Sequence, residues 1–293
     1  MTLTEAVKKI LGKAGTKVKL TIQREGVDKP FQVEITRGKI ELESVFGVKR
    51  KADDTWDYWL DKQNKIAYVR LSNFARNTTA DLTRVVRDLR EQGMQGLVLD
   101  LRFNPGGLLS AAHKISDLFI DNGPIVAIRR PRRGQEDQMT GRSAGSELDF
   151  KMVCLVNGYS ASASEIVSAC LQDHKRAVII GERSYGKGSV QNISDFDGGQ
   201  IKVTIASFWR PSGKNLNKSS TSGKEDEDWG VRPDNKDCTL ELSRKEREDL
   251  AEHLRNTEII PRRDRPAKEK TEFKDRQLDL ALKHLRDVVK ASR

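Results

Sequence analysis

Residues 96–101, Gly-Leu-Val-Leu-Asp-Leu, form a short apolar run broken by one aspartate, and this run limits the folds open to the chain. A strand without polar alternation is buried on both faces, so layers of structure must cover it from both sides. The segments around it supply those layers. A strand is predicted at 66–70, then a helix over about 80–92 with Leu82, Val85, Val86 and Leu89 on one face. After the run come an Asn104-Pro105-Gly106-Gly107 turn, a helix to about Phe119 and a strand at 125–128. A strand at 152–156, a helix at 162–173 and strands at 177–180, 189–193 and 200–208 complete the succession. The βα alternation predicts an α/β core with a mostly parallel central sheet. Residues 129–148 read as a surface loop or flap, and the polar, Gly/Ser-containing segment 215–228 as a mobile insertion.

The two ends differ from this pattern. Leu3, Ala6, Val7 and Ile10 fall at helical spacing, with Thr2 or Thr4 as cap and Gly12 as terminator. Alternation follows at Val18, Leu20 and Ile22, then at Phe31, Val33 and Ile35, on either side of a Glu25-Gly26 turn. One helix and two strands cannot close a core, so this segment is expected to be part of a domain or an appendage. In the tail, Ser243 and Glu246 form a capping-box signature, and Leu278, Leu282, Leu285 and Val289 form a stripe expected to dock on the core. A chain of 293 residues has room for one sizeable core and a small appendage.

Net charge is +10, from 53 basic and 43 acidic side chains that are interleaved along the sequence. With few aromatics and no stacking platform, this reads as a solvated surface and not as a nucleic-acid interface. The three cysteines, Cys154, Cys170 and Cys238, are too few and too widely spaced for a disulfide framework or a zinc site. No apolar run reaches membrane-spanning length, and Met1 opens no signal-peptide pattern.

The chemistry concentrates in two segments, Asn157–Ile166 (NGYSASASEI) and Ser184–Gln191 (SYGKGSVQ). Ser162-x-x-Glu165 is a capping box, and taken alone it is a structural cap. The same position suits a nucleophile. A helix N-terminus offers free N–H groups, and the Ala163 N–H can face an oxyanion formed when the Ser162 hydroxyl attacks a carbonyl. A serine needs a base. His113, His174, His253 and His284 all fall in helices or the tail, whereas Lys187 lies between two glycines, 25 residues after Ser162. A free lysine is neutral only about one part in a thousand at pH 7.4, so burial is expected around a lysine that acts as base. On a strand, Lys187, Ser189 and Gln191 share a face, which lets Gln191 orient the amine. Residues 181–188 (GERSYGKG) also approach the phosphate-binding loop GxxxxGK[ST]. Gly188 replaces the Ser/Thr, however, and a strand follows where a helix is needed. The NPGG turn is either a plain turn or a source of a second oxyanion N–H.

Together these segments resemble the carboxyl-terminal processing peptidases, tail-specific serine proteases with a Ser/Lys active site. The resemblance runs from about Leu3 to Leu285. It rests on LVLDLRFNPGGLL (97–109), VNGYSASASEI (156–166), Asp173, AVIIGERSYGKGSVQ (177–191), PSG (211–213) and GVRPD (230–234). It implies a crotonase-like (ClpP/crotonase) core at 39–240, a partial PDZ domain at 1–38 and a helical C-terminal segment at 241–293. The strand and carboxylate-binding loop that precede the first helix in the family are expected to be missing here. Either Met1 is an internal start or tail docking has been lost.

The resemblance makes the middle serine, Ser162, the nucleophile, Lys187 the general base and Gln191 its orienter, with Gly106 and Ala163 as oxyanion donors. Glu165 and Asp173 match supporting acidic positions. Asp173 lies roughly 16 Å along the helix from Ser162, too far for proton transfer. The implied function is a serine endopeptidase that cleaves proteins near flexible C-termini through an acyl-enzyme, without metal, nucleotide or other cofactor. An adaptor or a homo-oligomer is an expected partner, and the implied setting is periplasmic or otherwise extracytoplasmic. The alternative is a non-catalytic peptide-binding or scaffold protein on the same fold.

Overall fold

The computed structural model describes residues 2–24, 27–39, 43–130, 136–142, 144–259 and 273–291. The chain divides into two units, Met1–Glu43 and Ser44–Arg293.

The first unit holds α1 (Leu3–Ile10) and a hairpin of β1 (Lys17–Ile22) with β2 (Phe31–Thr36). Thr2 is the cap: its hydroxyl accepts from the Glu5 N–H at 3.3 Å, and its own N–H donates to the Glu5 carboxylate at 2.8 Å. At the other end of α1 the Arg37 guanidinium takes over the orphan carbonyls. It donates to the Lys9 and Ile10 oxygens at 2.9 and 2.7 Å and also to the Lys17 oxygen, which ties the helix to the hairpin. None of the described residues of this unit is buried, as expected for too few elements to enclose a core. The Glu25-Gly26 turn lies outside the described residues.

The second unit begins with short strands β3 (Val45–Phe46), β4 (Lys49–Arg50), β5 (Trp56–Asp57) and β6 (Trp59–Asp61), then β7 (Ile66–Leu71), α2 (Thr78–Glu91) and β8 (Gly96–Asp100). Next come α3 (Leu109–Phe119), β9 (Gly123–Arg129), β10 (Glu136–Gly141), β11 (Lys151–Val156), α4 (Ala163–Asp173) and β12 (Val178–Gly181). The long pair β13 (Ser189–Phe196) and β14 (Gly199–Trp209) follows, and α5 (Arg244–Thr257) and α6 (Arg276–Ala291) close the unit.

The 96–101 run forms β8, in the middle of a parallel array ordered β12-β11-β8-β7, with β3 and β6 antiparallel on β7. Its two faces feed two cores. Leu97, Leu99, Ala67, Val69, Cys154 and Ile179 pack with residues of α2, α3 and α4, while Val98, Ile66, Val153, Leu155 and Ile180 pack against α6. Burial on both sides is the reason the run shows no polar alternation. Asp100 is tolerated at its end because Arg102, also buried, bonds it through Nε and Nη2. Arg102 also forks onto Asp275 at 2.9 and 2.7 Å, next to the start of α6.

Three expectations shift. Segment 129–148 is not all loop, because 136–141 forms β10 antiparallel to β9. Five of its six residues stay out of the core, so its sequence carries no apolar alternation to announce a strand. Segment 215–228 is packed only near its start: Leu216 and Asn217 are buried, and the backbone there sits against Gly188, where a Cβ would lie 2.4 Å from the Asn217 nitrogen. On α6 the buried line is Gln277, Ala281, Leu285 and Val289: Leu285 and Val289 are the expected residues, while Leu278 and Leu282 pack against the core but stay partly exposed. Gln277 accepts from Arg102 and donates to the Leu240 oxygen.

Candidate active site

Three serines crowd the turn that opens α4, and their hydroxyls have different fates. Ser160 donates to the Leu101 oxygen at 2.8 Å and Ser164 to the Asn104 oxygen at 2.9 Å; both are fully buried. Ser162 is half-buried and occupies the cap of a capping box with Glu165, but the Glu165 N–H is directed to the Ser162 carbonyl at 2.9 Å and the Ser162 hydroxyl makes no hydrogen bond of normal geometry among the described residues. Its backbone is held at φ 58°, ψ −113°, a conformation that costs about 1–3 kcal/mol in a non-glycine residue and persists only where its surroundings impose it.

The agent that imposes it is Glu165. This buried carboxylate accepts the Ser162 N–H at 2.8 Å and the Lys187 N–H at 2.8 Å on one oxygen. Its other oxygen takes the Gly186 N–H at 2.6 Å and the Ser184 hydroxyl at 2.5 Å. Burial pushes the Glu165 carboxyl up, and these four donors pull against that without cancelling it. The loop that approaches a phosphate-binding pattern therefore turns its N–H groups onto the chain's own carboxylate, and a strand, β13, follows. Because Ser162 and Lys187 share one acceptor oxygen, their backbone nitrogens lie within twice 2.8 Å of each other. Two residues earlier, the Tyr185 N–H donates to the Ser160 oxygen at 3.0 Å, so the serine and lysine segments run side by side at a constant offset. Val231 locks the lysine segment from behind, exchanging bonds with the Ser184 backbone and hydroxyl.

The NPGG turn closes on the same spot. Asn104, fully buried, donates from its amide to the Leu71 oxygen at 2.8 Å, and its carbonyl accepts the Ala161 N–H at 3.0 Å. Gly106 has φ 99°, and a Cβ on it would lie 2.8 Å from the Ser162 Cβ and 2.9 Å from the Ala163 nitrogen, so only glycine fits. The Ala163 N–H has no acceptor among the described residues. The Gly106 N–H is taken by the Asn104 side-chain oxygen at 2.9 Å, which differs from the expectation of two free donors.

The lysine also differs from expectation. Its backbone is pinned, yet its side chain is exposed and forms no hydrogen bond to Ser162 or Gln191 among the described residues. The Gln191 amide donates to Ser189 Oγ at 3.0 Å and to Thr204 Oγ1 at 2.8 Å. A register shift between Val190 and Gln191 breaks the simple alternation that placed Lys187 and Gln191 on one face. Asp173 sits at the far end of α4, forked onto Arg210 at 3.0 and 2.6 Å, with the Ser212 N–H at 3.0 Å. Burial raises its carboxyl, but the bonds and charge of Arg210 hold it below the usual range.

Competing groups are occupied elsewhere. His113 and His174 engage the carbonyls of Thr140 and Pro124, and His253 stacks on Phe273. The cysteines are buried, and desolvation pushes the Cys170 thiol up to about 12. No metal-binding cluster occurs among the described residues, and no described helix is long and apolar enough to cross a membrane. Sequence reasoning missed Asn104, Asn157 and Ser184 as organisers. Asn157 accepts the Phe103 and Tyr159 N–H groups at 3.0 and 3.1 Å, shaping both turns. Their signal was small amides and hydroxyls next to apolar strands, where a buried polar group must find partners.

The model of peptidase family S41 matches residues 65–236. The chain is 41% identical over 222 residues to a carboxy-terminal-processing protease of Bartonella bacilliformis, covering 73% of this chain and 48% of that protein. It is 34% identical over 219 residues to the carboxy-terminal processing protease CtpA of Bacillus subtilis, covering 74% and 44%. Among solved structures, the photosystem II D1 C-terminal processing protease matches with a TM-score of 0.55 and 31% identity, over 82% of this chain and 60% of that one. The chain spans about half the length of the curated relatives it matches.

Proposed function

The chain belongs to peptidase family S41, with a mixed α/β fold of that family, and from this premise we propose that it is a serine endopeptidase cleaving proteins near their C-termini. The observation that carries the reading is the fate of the three hydroxyls. Ser160 and Ser164 are spent on carbonyls, while Ser162 is free, strained and placed beside an unengaged Ala163 N–H. That the relatives are carboxy-terminal processing proteases supports the substrate class.

In this reading the Ser162 oxygen attacks the scissile carbonyl carbon and its proton passes to the neutral Lys187 amine. The oxyanion takes hydrogen bonds from Ala163 and, once Asn104 releases it, from Gly106. Collapse expels the new amine, which takes the proton from Lys187, and water then hydrolyses the ester on Ser162 by the same route. The four-carbon stem of Lys187 starts from backbone already beside Ser162, so side-chain rotation alone brings its amine to the hydroxyl. Substrate lying over the loop excludes the water that favours the ammonium. Gln191 orients the amine after leaving Thr204, and Glu165 and Asp173 support the frame without touching substrate.

The same reading places a partial PDZ domain in residues 1–38, a crotonase-like core in 39–240, a helical segment in 241–293 and an extracytoplasmic setting. A fluorophosphonate probe tests the chemistry. An adduct is expected on Ser162 in the native chain, and both Ser162→Ala and Lys187→Ala should lose it while staying folded. Labelling that persists in Ser162→Ala overturns the nucleophile. A native chain that takes no label and cuts no unstructured peptide is the non-catalytic scaffold.

A further inference from the structure

Tyr185 lies two residues before Lys187, in a stretch whose burial alternates strictly. Ser184, Gly186 and Gly188 point inward, while Tyr185 and Lys187 are exposed. Gly186 between them lies at φ 84°, so the segment is a turn and not a strand, and what ties Tyr185 to the site is its backbone, pinned two residues from that of Lys187. The backbone carrying Tyr185 is rigid, because its N–H donates to the Ser160 oxygen at 3.0 Å and both neighbours are anchored on Glu165. Its ring is 59% exposed and has no aromatic, cationic or hydrogen-bonding partner among the described residues. Tyr159, equally exposed, differs because it is stacked on Phe103 at 5.5 Å. Tyr185 and Trp229 are the two aromatic side chains lining a cleft of about 670 Å³ that also carries Glu182, Arg183, Lys218, Glu225, Glu241 and Arg247. Of the two guanidinium groups there, Arg183 is spent on the Trp229, Glu225 and Glu227 carbonyls and on the Trp229 face at 3.2 Å, and Arg247 pairs with Glu182 at 3.4 Å.

We propose that Tyr185 is a specificity residue, the wall of a subsite that takes a large apolar or aromatic side chain within two residues of the scissile bond. The inference rests on the peptidase reading of Ser162 and Lys187 and adds what their neighbour selects. A rigid aromatic face that loses no backbone freedom on contact recovers apolar burial from a matching side chain, and it gains nothing from alanine or glycine. The phenol hydroxyl has no part in this, so the ring alone sets the preference.

Binding to the Ser162→Ala chain tests it independently of turnover. Peptides identical except for Phe, Leu or Ala at one position, moved in turn across the central four residues, are titrated against Ser162→Ala, Ser162→Ala/Tyr185→Ala and Ser162→Ala/Tyr185→Phe. At one position the Phe and Leu peptides should bind about tenfold tighter than the Ala peptide. That ratio should fall to near one with Tyr185→Ala and return with Tyr185→Phe. General damage to the loop weakens all peptides together and leaves the ratio unchanged. A ratio that survives Tyr185→Ala, that is lost in Tyr185→Phe, or that is near one at every position in the parent overturns the proposal. Failure of the peptidase reading shows separately, as a native chain that takes no fluorophosphonate.

Discussion

The two halves of the candidate site are built on opposite plans. On the serine side every group around the hydroxyl is fixed: Asn104, Asn157, Ser160 and Ser164 tie backbone to backbone, and a positive φ is held by the Glu165 carboxylate. On the lysine side the same carboxylate fixes only the backbone, and the side chain is left in solvent. Electrostatic stabilisation of a transition state depends on donors that do not have to reorganise. A base must change protonation state, and a mobile amine is the easier group to move between water and a covered site. In the proposed reading, the difference means that the frame is set in advance while proton transfer waits for an occupant.

The sharpest test of this contrast is Lys187→Ala, which should cut kcat/KM by about 10³–10⁴-fold while leaving Tm almost unmoved, since the residue is exposed. A large drop in Tm would mean that the lysine is part of the frame. Next comes Gly106→Ala, whose Cβ collides with Ala161, Ser162 and Ala163. It should lower kcat/KM by about 10²–10³-fold, as loss of one oxyanion donor does, and unlike the lysine variant it should also lower stability.

Glu165→Gln leaves two donors facing an amide NH₂. Urea unfolding should show a loss of about 2–3 kcal/mol, and a stability equal to the parent would show that Glu165 is not the clamp. The smallest effect is expected at Asp173. Its lowered carboxyl contributes stability that is complete above the ordinary carboxylate range and is lost as pH falls through the lowered value. Asp173→Asn should therefore cost about 1 kcal/mol at neutral pH and nothing at strongly acid pH, where both proteins converge. A constant gap across the pH range would break the Arg210 explanation.

The parallel core was legible from the sequence because burial on both faces writes itself as an unbroken apolar run at 97–99, and the α4 start was legible from Ser162 and Glu165. The serine side could be located, but the choice among Ser160, Ser162 and Ser164 depends on which carbonyls come near, which is tertiary information. The lysine setting was read as burial from its flanking glycines. Those glycines instead admit the backbone of 216–217 and bring an N–H to Glu165, so they bury the main chain and not the amine. Nor did the polar composition of 215–228 reveal the packing near its start, where Leu216 and Asn217 are buried. The burial of Gln277 at the start of α6 goes with one long-range bond, from Arg102, that no local periodicity records.

Arg102 carries a consequence for the order of events during synthesis. It sits two residues before the NPGG turn, and its guanidinium is completed by Asp275, 173 positions downstream. The serine loop, the glycine turn and the lysine segment all leave the ribosome long before that partner exists. Until it arrives, the Arg102 guanidinium has Asp100 as its one counter-charge among the described residues. The Arg102–Asp275 contact behind the turn therefore forms only after the chain has been made as far as the start of α6.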